Sequence, residues 1–231
     1  MRKIKTNFIL CDCRISIKCL SKLKELGKIP ILMPPFSKLS ESVASHPDML
    51  IFPGGDCLYT HRDYYKENKS LFDSLPVKAV TTDEYINSTY PDDILFNAFA
   101  IGGRVFGKKD KITKLIKSEV VNVNQGYSKC STAVISDSAI ITEDKGIAKR
   151  ALEFGIDVLA VESGHVNLSP FEYGFLGGAS GLIDEGVIAF CGDVKLHPEY
   201  SSIFNFCNKH KVQIISLSDE KLYDYGSLIS I

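Results

Sequence analysis

Cys130 is the residue in this chain best suited to nucleophilic chemistry. A cysteine attacks as its thiolate, and a nearby cation favours that form. Lys129 is its neighbour, so the two would act together if both side chains reached one pocket. In a strand, consecutive side chains point to opposite faces; Cys130 is then a small buried hydrophobe. His46 precedes Pro47 and Asp48. A histidine oriented by a carboxylate is an acid/base group near neutral pH. The same residues also read as a hydrogen-bonded turn with Asp48 as a local cap.

Other polar residues have two readings each. Gln125, Tyr127 and Lys129 could line a polar pocket, or form the wet face of an ordinary strand. Arg14 could bind a carboxylate, or pair with Asp12 or Asp48. Asp224 could hold a cationic group, or cap the last strand. Gly174–Gly181 is glycine-dense, but a phosphate cradle would lead into a helix N-terminus, and Leu182-Ile183 and the turn Asp184-Glu185-Gly186 follow instead. Glycines such as Gly177 and Gly178 then serve close backbone approach, while Ser180 could present its hydroxyl to a ligand. Cys11 and Cys13 would share a face in an extended segment, but no second ligand pair accompanies them, so two small buried side chains are expected rather than a metal. His165 and His197 read as structural, and His61 and His210 as surface helix residues. No metal or cofactor is expected.

Composition narrows the class. Hydrophobic residues are 45% and charged residues 24% of 231, which excludes general disorder. Lys+Arg is 27 and Asp+Glu 28, so no global field steers the chain to nucleic acid or an anionic membrane. The apolar run Phe8-Ile9-Leu10 is too short for a signal-peptide core, and no run reaches the roughly 18 residues needed to span a bilayer. Seven irregularly spaced cysteines do not suggest a secreted disulfide framework. A cytoplasmic protein is expected.

The elements that must position these residues repeat along the chain. Ile94–Phe99 and Arg104–Phe106 read as a hairpin about Ile101-Gly102-Gly103, followed by a helix over Lys108–Lys117 and a strand at Glu119–Val123. The order recurs as Ser131–Ile135, Ala139–Ile141, a helix capped by Thr142 and ended by Gly155, and Ile156–Val161. It recurs again as Phe171–Ile183, Val187–Phe190, a helix opened by Pro198, and Val212–Leu217. An earlier copy spans Met49–Phe52, Cys57–Tyr59, a helix over Tyr64–Leu75, and Val77–Thr81. The last copy is split: Leu222–Ile231 pairs with Asn7–Asp12, then a helix over Ile15–Leu26 ends at Gly27, and Ile29–Met33 closes it. Joining the two ends of the chain in one unit would close a ring and remove free sheet edges. Five units in 231 residues gives about 46 each, so one domain over residues 1–231 is expected.

Five hairpin-helix-strand units in a ring resemble the pentein α/β-propeller, the fold of arginine deiminases, dimethylarginine hydrolases and amidinotransferases. More specifically, the chain resembles a small bacterial family of that fold without a known activity. That likeness lies in Ser45-His46-Pro47-Asp48, Gln125-Gly126-Tyr127-Ser128-Lys129-Cys130-Ser131, Ile141-Thr142-Glu143-Asp144, Tyr173–Gly181 and Asp224-Tyr225-Gly226-Ser227. The resemblance implies a ligand site in the central cavity, faced by the residues that begin each unit's first strand. These are near His46 and Asp48, near Asn97, near Lys129 and Cys130, within Gly177–Ser180, and near Asp224, with Asp12 and Arg14 from the split unit.

The guanidine-modifying enzymes use a cysteine in the last unit, a histidine in the third, and carboxylates that grip the guanidinium. Here the last unit reads Tyr225-Gly226-Ser227, and the third-unit stretch Gly126–Cys130 holds no histidine. Cys130 is then the replacement nucleophile, with His46 as acid/base. Two functions are expected to compete: a cysteine-dependent hydrolase or transferase on a guanidino or related nitrogen-rich metabolite, and a non-catalytic small-molecule-binding propeller. A scaffold role finds little in the sequence.

Overall fold

Alternating and periodic apolar residues resolve into five three-stranded sheets in a computed structural model, which describes residues 7–231. Residues 1–6, which open the stretch read for a signal peptide, lie outside the described residues. β1 (Phe8–Asp12) runs parallel to β2 (Ile29–Met33) across helix α1 (Ile17–Glu25). A short helix, α2 (Pro47–Leu50), leads into β3 (Ile51–Pro53), which pairs antiparallel with β4 (Cys57–His61). Helices α3 (Arg62–Glu67) and α4 (Lys69–Ser74) carry the chain to β5 (Lys78–Thr82), parallel to β4. The same order of antiparallel pair, crossover and parallel strand builds β6 (Phe99–Ile101), β7 (Arg104–Gly107) and β8 (Val120–Asn122). It builds β9 (Thr132–Ser136), β10 (Ala139–Thr142), α5 (Lys145–Glu153) and β11 (Asp157–Ala160). It builds β12 (Ser180–Asp184), β13 (Val187–Phe190), α6 (Tyr200–Lys209) and β14 (Gln213–Ser216). Finally β15 (Ile229–Ser230) pairs antiparallel with β1 and completes the first sheet from the far end of the chain.

Parallel neighbours need a crossover, and amphipathic helices supply four of the five. Helix α1 starts where the Ser16 side chain accepts the Cys19 N–H, and it buries Cys19 and Leu23. Gly27 and Gly155, at φ 74° each, end α1 and α5 as their positions predict. The core falls into clusters between neighbouring sheets: Leu10, Met33, Phe52, Phe96 and Ile229 in one, and Ile141, Leu176, Phe190 and Ile203 in another.

Several sequence expectations need correction. Lys108–Lys117 forms turns, not a helix. The helix over Tyr64–Leu75 divides at Asn68, whose side-chain amide donates to the Tyr64 carbonyl. The cap of α5 is Asp144, which accepts the Ile147 N–H; Thr142 instead accepts the Asp144 N–H. Met49 and Leu50 are helical rather than extended. The strand expected at Ile94–Phe99 begins only at Phe99 and runs to Ile101, while the strands expected within Phe171–Ile183 and Leu222–Ile231 fall at the far ends of those segments, as β12 and β15. His61 is buried and accepts the Asp63 N–H, and so is no surface residue. His210 holds Asp157 at 2.8 Å. Cys11 is buried and Cys13 exposed, so the two thiols do not share an environment. No helix among the described residues is long and apolar enough to cross a membrane.

Candidate functional site

Each unit sends polar residues into the segment just before its first strand, and these segments bond to one another. The Asp48 N–H donates to the Gly226 carbonyl at 3.0 Å. The Lys129 N–H donates to Asn97 Oδ1 at 2.8 Å. The Gly178 N–H reaches the Cys130 carbonyl at 2.8 Å, and the Ser227 N–H reaches the Gly178 carbonyl at 2.7 Å. Residues far apart in sequence are thereby fixed at one place. Lys129, Cys130 and Asn97 stand one to a few residues ahead of the strands, Asp48 lies in α2, and Asp12 ends β1. Lying outside a strand, Lys129 and Cys130 both reach the cluster, although strand alternation would have separated them.

Asp48 is the hub. Its Oδ2 accepts the Cys130 thiol at 3.2 Å and the Ser227 hydroxyl at 2.7 Å. Asn97 Nδ2 donates to Cys130 Sγ at 3.0 Å and to Met49 Sδ at 3.2 Å. Lys129 Nζ donates to Ser227 Oγ at 2.9 Å, with the Gly177 and Thr132 carbonyls at 3.4 and 3.5 Å. Ser227 is a non-glycine residue at φ 73°, a conformation that costs about 1 kcal/mol or more. Its hydroxyl is held by three neighbours.

His46 stands between two further carboxylates. Its Nε2 is 3.7 Å from Asp12 Oδ2, and its Nδ1 is 3.9 Å from Asp224 Oδ1. Neither distance makes a hydrogen bond. Both imidazole nitrogens and Asp48 Oδ1 are buried without a hydrogen-bond partner among the described residues. Buried polar atoms are nearly always paired, so three such atoms together mark a place for a ligand or water. Arg14 does not face this space: its guanidinium clamps Asp12 at 2.9 and 2.5 Å and reaches the Glu41 and Ser42 carbonyls. Asp224 accepts the Phe175 and Gly226 N–H groups, each at 2.9 Å.

Close approach explains two glycines. A Cβ on Gly178 would lie 2.0 Å from Asp224 Oδ1, and one on Gly226 would lie 2.1 Å from His46 Cβ. Any side chain there would displace the carboxylate or the imidazole. Gly177 likewise packs against the Lys129 and Thr132 backbone and offers its carbonyl to Ser227. Ser180 turns its hydroxyl to the Gly177 carbonyl at 3.4 Å, within β12. Gln125 stays apart, its Oε1 accepting the Tyr127 N–H as a turn cap. The structure thus gathers Asp12, His46, Asp48, Asn97, Lys129, Cys130, Gly177, Gly178 and Asp224; Arg14 supports from behind, and Ser180 and Gln125 contribute structure. Ser227 joins the cluster although its type and position give no sign of it beyond the motif Asp224-Tyr225-Gly226-Ser227.

Burial and mutual interaction shift the ionisable groups of the cluster. Burial, then Asp48 and Asp224, push the Cys130 thiol well above its ordinary value, so the resting form is the thiol. Burial pulls Lys129 down, opposed by Asp48, Cys130 and Asp224. Burial also raises Asp224, although His46 opposes it. A cavity of about 330 Å³ opens onto His46, Met49, Cys130 and Asp224, with walls of Tyr127, Phe171, Tyr173 and Phe175. A larger groove beside α6 and β14, lined by Tyr200 and Phe204, shares no residue with this cluster.

Comparison with solved structures gives the same fold at low identity. Dimethylarginine dimethylaminohydrolase from Pseudomonas aeruginosa, in complex with citrulline, is 8% identical, with a TM-score of 0.56 over 92% of each chain. Agmatine deiminase from C. jejuni is 11% identical, with a TM-score of 0.54 over 94% of this chain and 90% of its own. Inosamine-phosphate amidinotransferase from Streptomyces griseus is 8% identical, with a TM-score of 0.55 over 94% of this chain and 81% of its own. The chain thus shares its fold with these three proteins. A comparison with curated proteins returned no match. At the level of sequence, residues 10–229 match one family model, and the chain belongs to that Family of unknown function (DUF6873).

Proposed function

We propose that the cavity binds a small nitrogen-rich cation of the guanidinium type and that Cys130 attacks it. The observation that carries this reading is the cluster of Asp12, Asp48 and Asp224 about a buried thiol and imidazole, with Asp48 Oδ1 and both His46 nitrogens unpartnered. A carboxylate meets two guanidinium N–H groups in one plane, which suits Asp48 and Asp224. The bound cation offsets the repulsion that keeps Cys130 protonated. The thiol then gives its proton to Asp48 Oδ2 and sulfur bonds to the guanidinium carbon. A C–N bond breaks as the leaving nitrogen takes that proton from Asp48; water or an amine then attacks the carbon and gives a proton to His46, and the C–S bond breaks as the sulfur takes the proton back from His46. On the same reading the five sheets are blades of a single ring-shaped domain closed by the β1–β15 pair. The partner is a small molecule; nucleic acid and membrane have no part.

A second reading, a binding protein without turnover, is favoured by one observation: Cys130 is buried and donates to Asp48, and both hold it as a thiol. Alkylation and turnover separate the two. Iodoacetamide near neutral pH is expected to label Cys130 in the native protein, and a panel of guanidino compounds to include one that protects it and is converted. Product that vanishes in Cys130→Ala establishes the enzyme. Protection without product, or an unlabelled Cys130 in a protein that one of the compounds stabilises in a thermal shift, leaves the binding protein; no labelling, no stabilisation and no product removes both.

A further inference from the structure

We propose that the cavity takes a guanidine whose substituent is a hydrocarbon, alkyl or aryl, and not a guanidino acid. The inference rests on the guanidinium reading above and adds what lies at the other end of the same molecule. A guanidinium seated on Asp224 beside Cys130 leaves its substituent to the rest of the cavity, which measures about 330 Å³. The walls there are Val43, Tyr127, Leu168, Phe171, Tyr173 and Phe175. A concave, mostly apolar wall with a few polar groups at one end suits a ligand of the same polarity.

Two of the rings are tied to the site. The Phe175 N–H donates to Asp224 Oδ2 at 2.9 Å, so this residue is fixed to a carboxylate that would hold the guanidinium. Tyr127 lies three residues before Cys130, and its hydroxyl donates to Asp93 Oδ2 at 2.7 Å. With that hydroxyl engaged, Tyr127 offers the cavity its ring. The Tyr127 and Phe175 centroids are 6.3 Å apart, and those of Tyr173 and Phe175 are 6.2 Å apart, edge to face. The three rings form one aromatic wall. Phe171 and Tyr173 line the cavity yet are 54% and 39% exposed, which leaves large apolar surface in water at its mouth. A hydrocarbon substituent would cover it favourably.

The charges argue against an anionic end. Among the described residues no lysine or arginine lines the cavity. Lys129 Nζ is engaged with Ser227 Oγ at 2.9 Å and the Gly177 carbonyl at 3.4 Å. The Arg14 guanidinium is engaged with Asp12 and the Glu41 and Ser42 carbonyls. His46 stands between Asp12 and Asp224, so any charge it carries is matched there already. A carboxylate on the ligand would meet Asp224 and the exposed Glu172 instead of a cation. Giving up water for such surroundings is costly to an ion and favourable to a hydrocarbon.

The test is isothermal calorimetry of four guanidines with the intact protein: methylguanidine, butylguanidine, phenylguanidine and γ-guanidinobutyrate. The last replaces the terminal methyl of butylguanidine by a carboxylate. Butylguanidine and phenylguanidine are expected to bind about tenfold or more tightly than methylguanidine, and γ-guanidinobutyrate about tenfold or more weakly than butylguanidine. Removing the two exposed rings together, as Phe171→Ala with Tyr173→Ala, is expected to weaken phenylguanidine about tenfold and leave methylguanidine unchanged. If γ-guanidinobutyrate binds as tightly as butylguanidine, the inference falls and the guanidinium reading stands. The same holds if the folded double variant keeps the wild-type affinity for phenylguanidine. Binding by none of the four overturns the guanidinium reading and the inference together.

Discussion

Glu143 shows how a single buried group ties the site to stability. Its Oε2 accepts the Leu176 N–H at 2.7 Å, while its Oε1 has no partner. The preceding N–H, of Phe175, goes to Asp224. Two carboxylates, Asp224 buried and Glu143 half-buried, therefore hold successive amides beside the cavity. Burial raises the Glu143 carboxyl from 4.5 to about 8, partly opposed by the Leu176 N–H. A raised carboxylate binds its proton more tightly in the folded chain, so folding is favoured below the unfolded value. That stability drains as pH climbs from 4.5 to about 8 and is gone above. Asp224 and Asp93, also raised by burial, act in the same direction. Glu143→Gln keeps a neutral group that accepts from Leu176. Urea midpoints measured across this range are expected to fall less steeply in the variant, by roughly 1–3 kcal/mol over the window. Parallel curves would mean that Glu143 is charged at rest. Nothing local in the sequence announced Glu143 or Ser227. A carboxylate two residues ahead of a helix and a serine after glycine are ordinary; their roles come from contacts 33 and 179 residues away in sequence. Cys130, His46 and Asp48 are candidates by residue type alone, and what the fold adds is that Asp48 meets Cys130 and that His46 and Cys130 line one cavity.

At the scale of elements, the crossover between β7 and β8 departs most from its pattern. Ile112, Leu115 and Ile116 carry helical spacing, yet the segment turns instead of winding. Its backbone amides are claimed from outside. The Thr113 N–H goes to the Leu95 carbonyl at 2.8 Å, and the Lys114 N–H goes to both oxygens of Glu84 at 3.1 Å. Thr113 Oγ1 donates to the same carboxylate at 2.5 Å. A side chain that satisfies these donors competes directly with the helix ladder. The same packing anchors Leu95, two residues before Asn97 of the site. Glu84→Ala is expected to cost about 1–3 kcal/mol, measured as a lower urea midpoint, with faster hydrogen exchange at the Lys114 amide. An unchanged Lys114 exchange rate would show that the amide is protected by something other than Glu84. Where a unit's helix had its own cap and glycine stop, as α1 and α5 do, the pattern in the sequence was sufficient. Where tertiary donors and acceptors intervene, periodicity misleads.

At the scale of the whole molecule, the last residues join parts that the chain makes first and last. Leu228 packs with Ile9, Leu23 and Ile183, whereas Ile229 and Ile231 belong to the cluster of Leu10, Met33 and Phe52. One short strand thus sits between two clusters and also fixes the register Ile9 to Ser230 and Leu10 to Ile229. The segment immediately before it contributes Asp224, Gly226 and Ser227 to the site. Packing at β15 should therefore control how firmly the site loops are held. Truncating Ile229 or Ile231 to alanine is expected to cost roughly 2–5 kcal/mol each, because both are buried and leave cavities. The sharper expectation concerns where the loss appears. Native-state hydrogen exchange should quicken at the Ser227 and Asp48 amides, which bond to the Gly178 and Gly226 carbonyls, together with Ile231, whose amide bonds to Phe8. Loss of protection at Ile231 without change at Asp48 and Ser227 would show that the site is held by its own polar contacts and not by the strand pairing that joins the two ends of the chain.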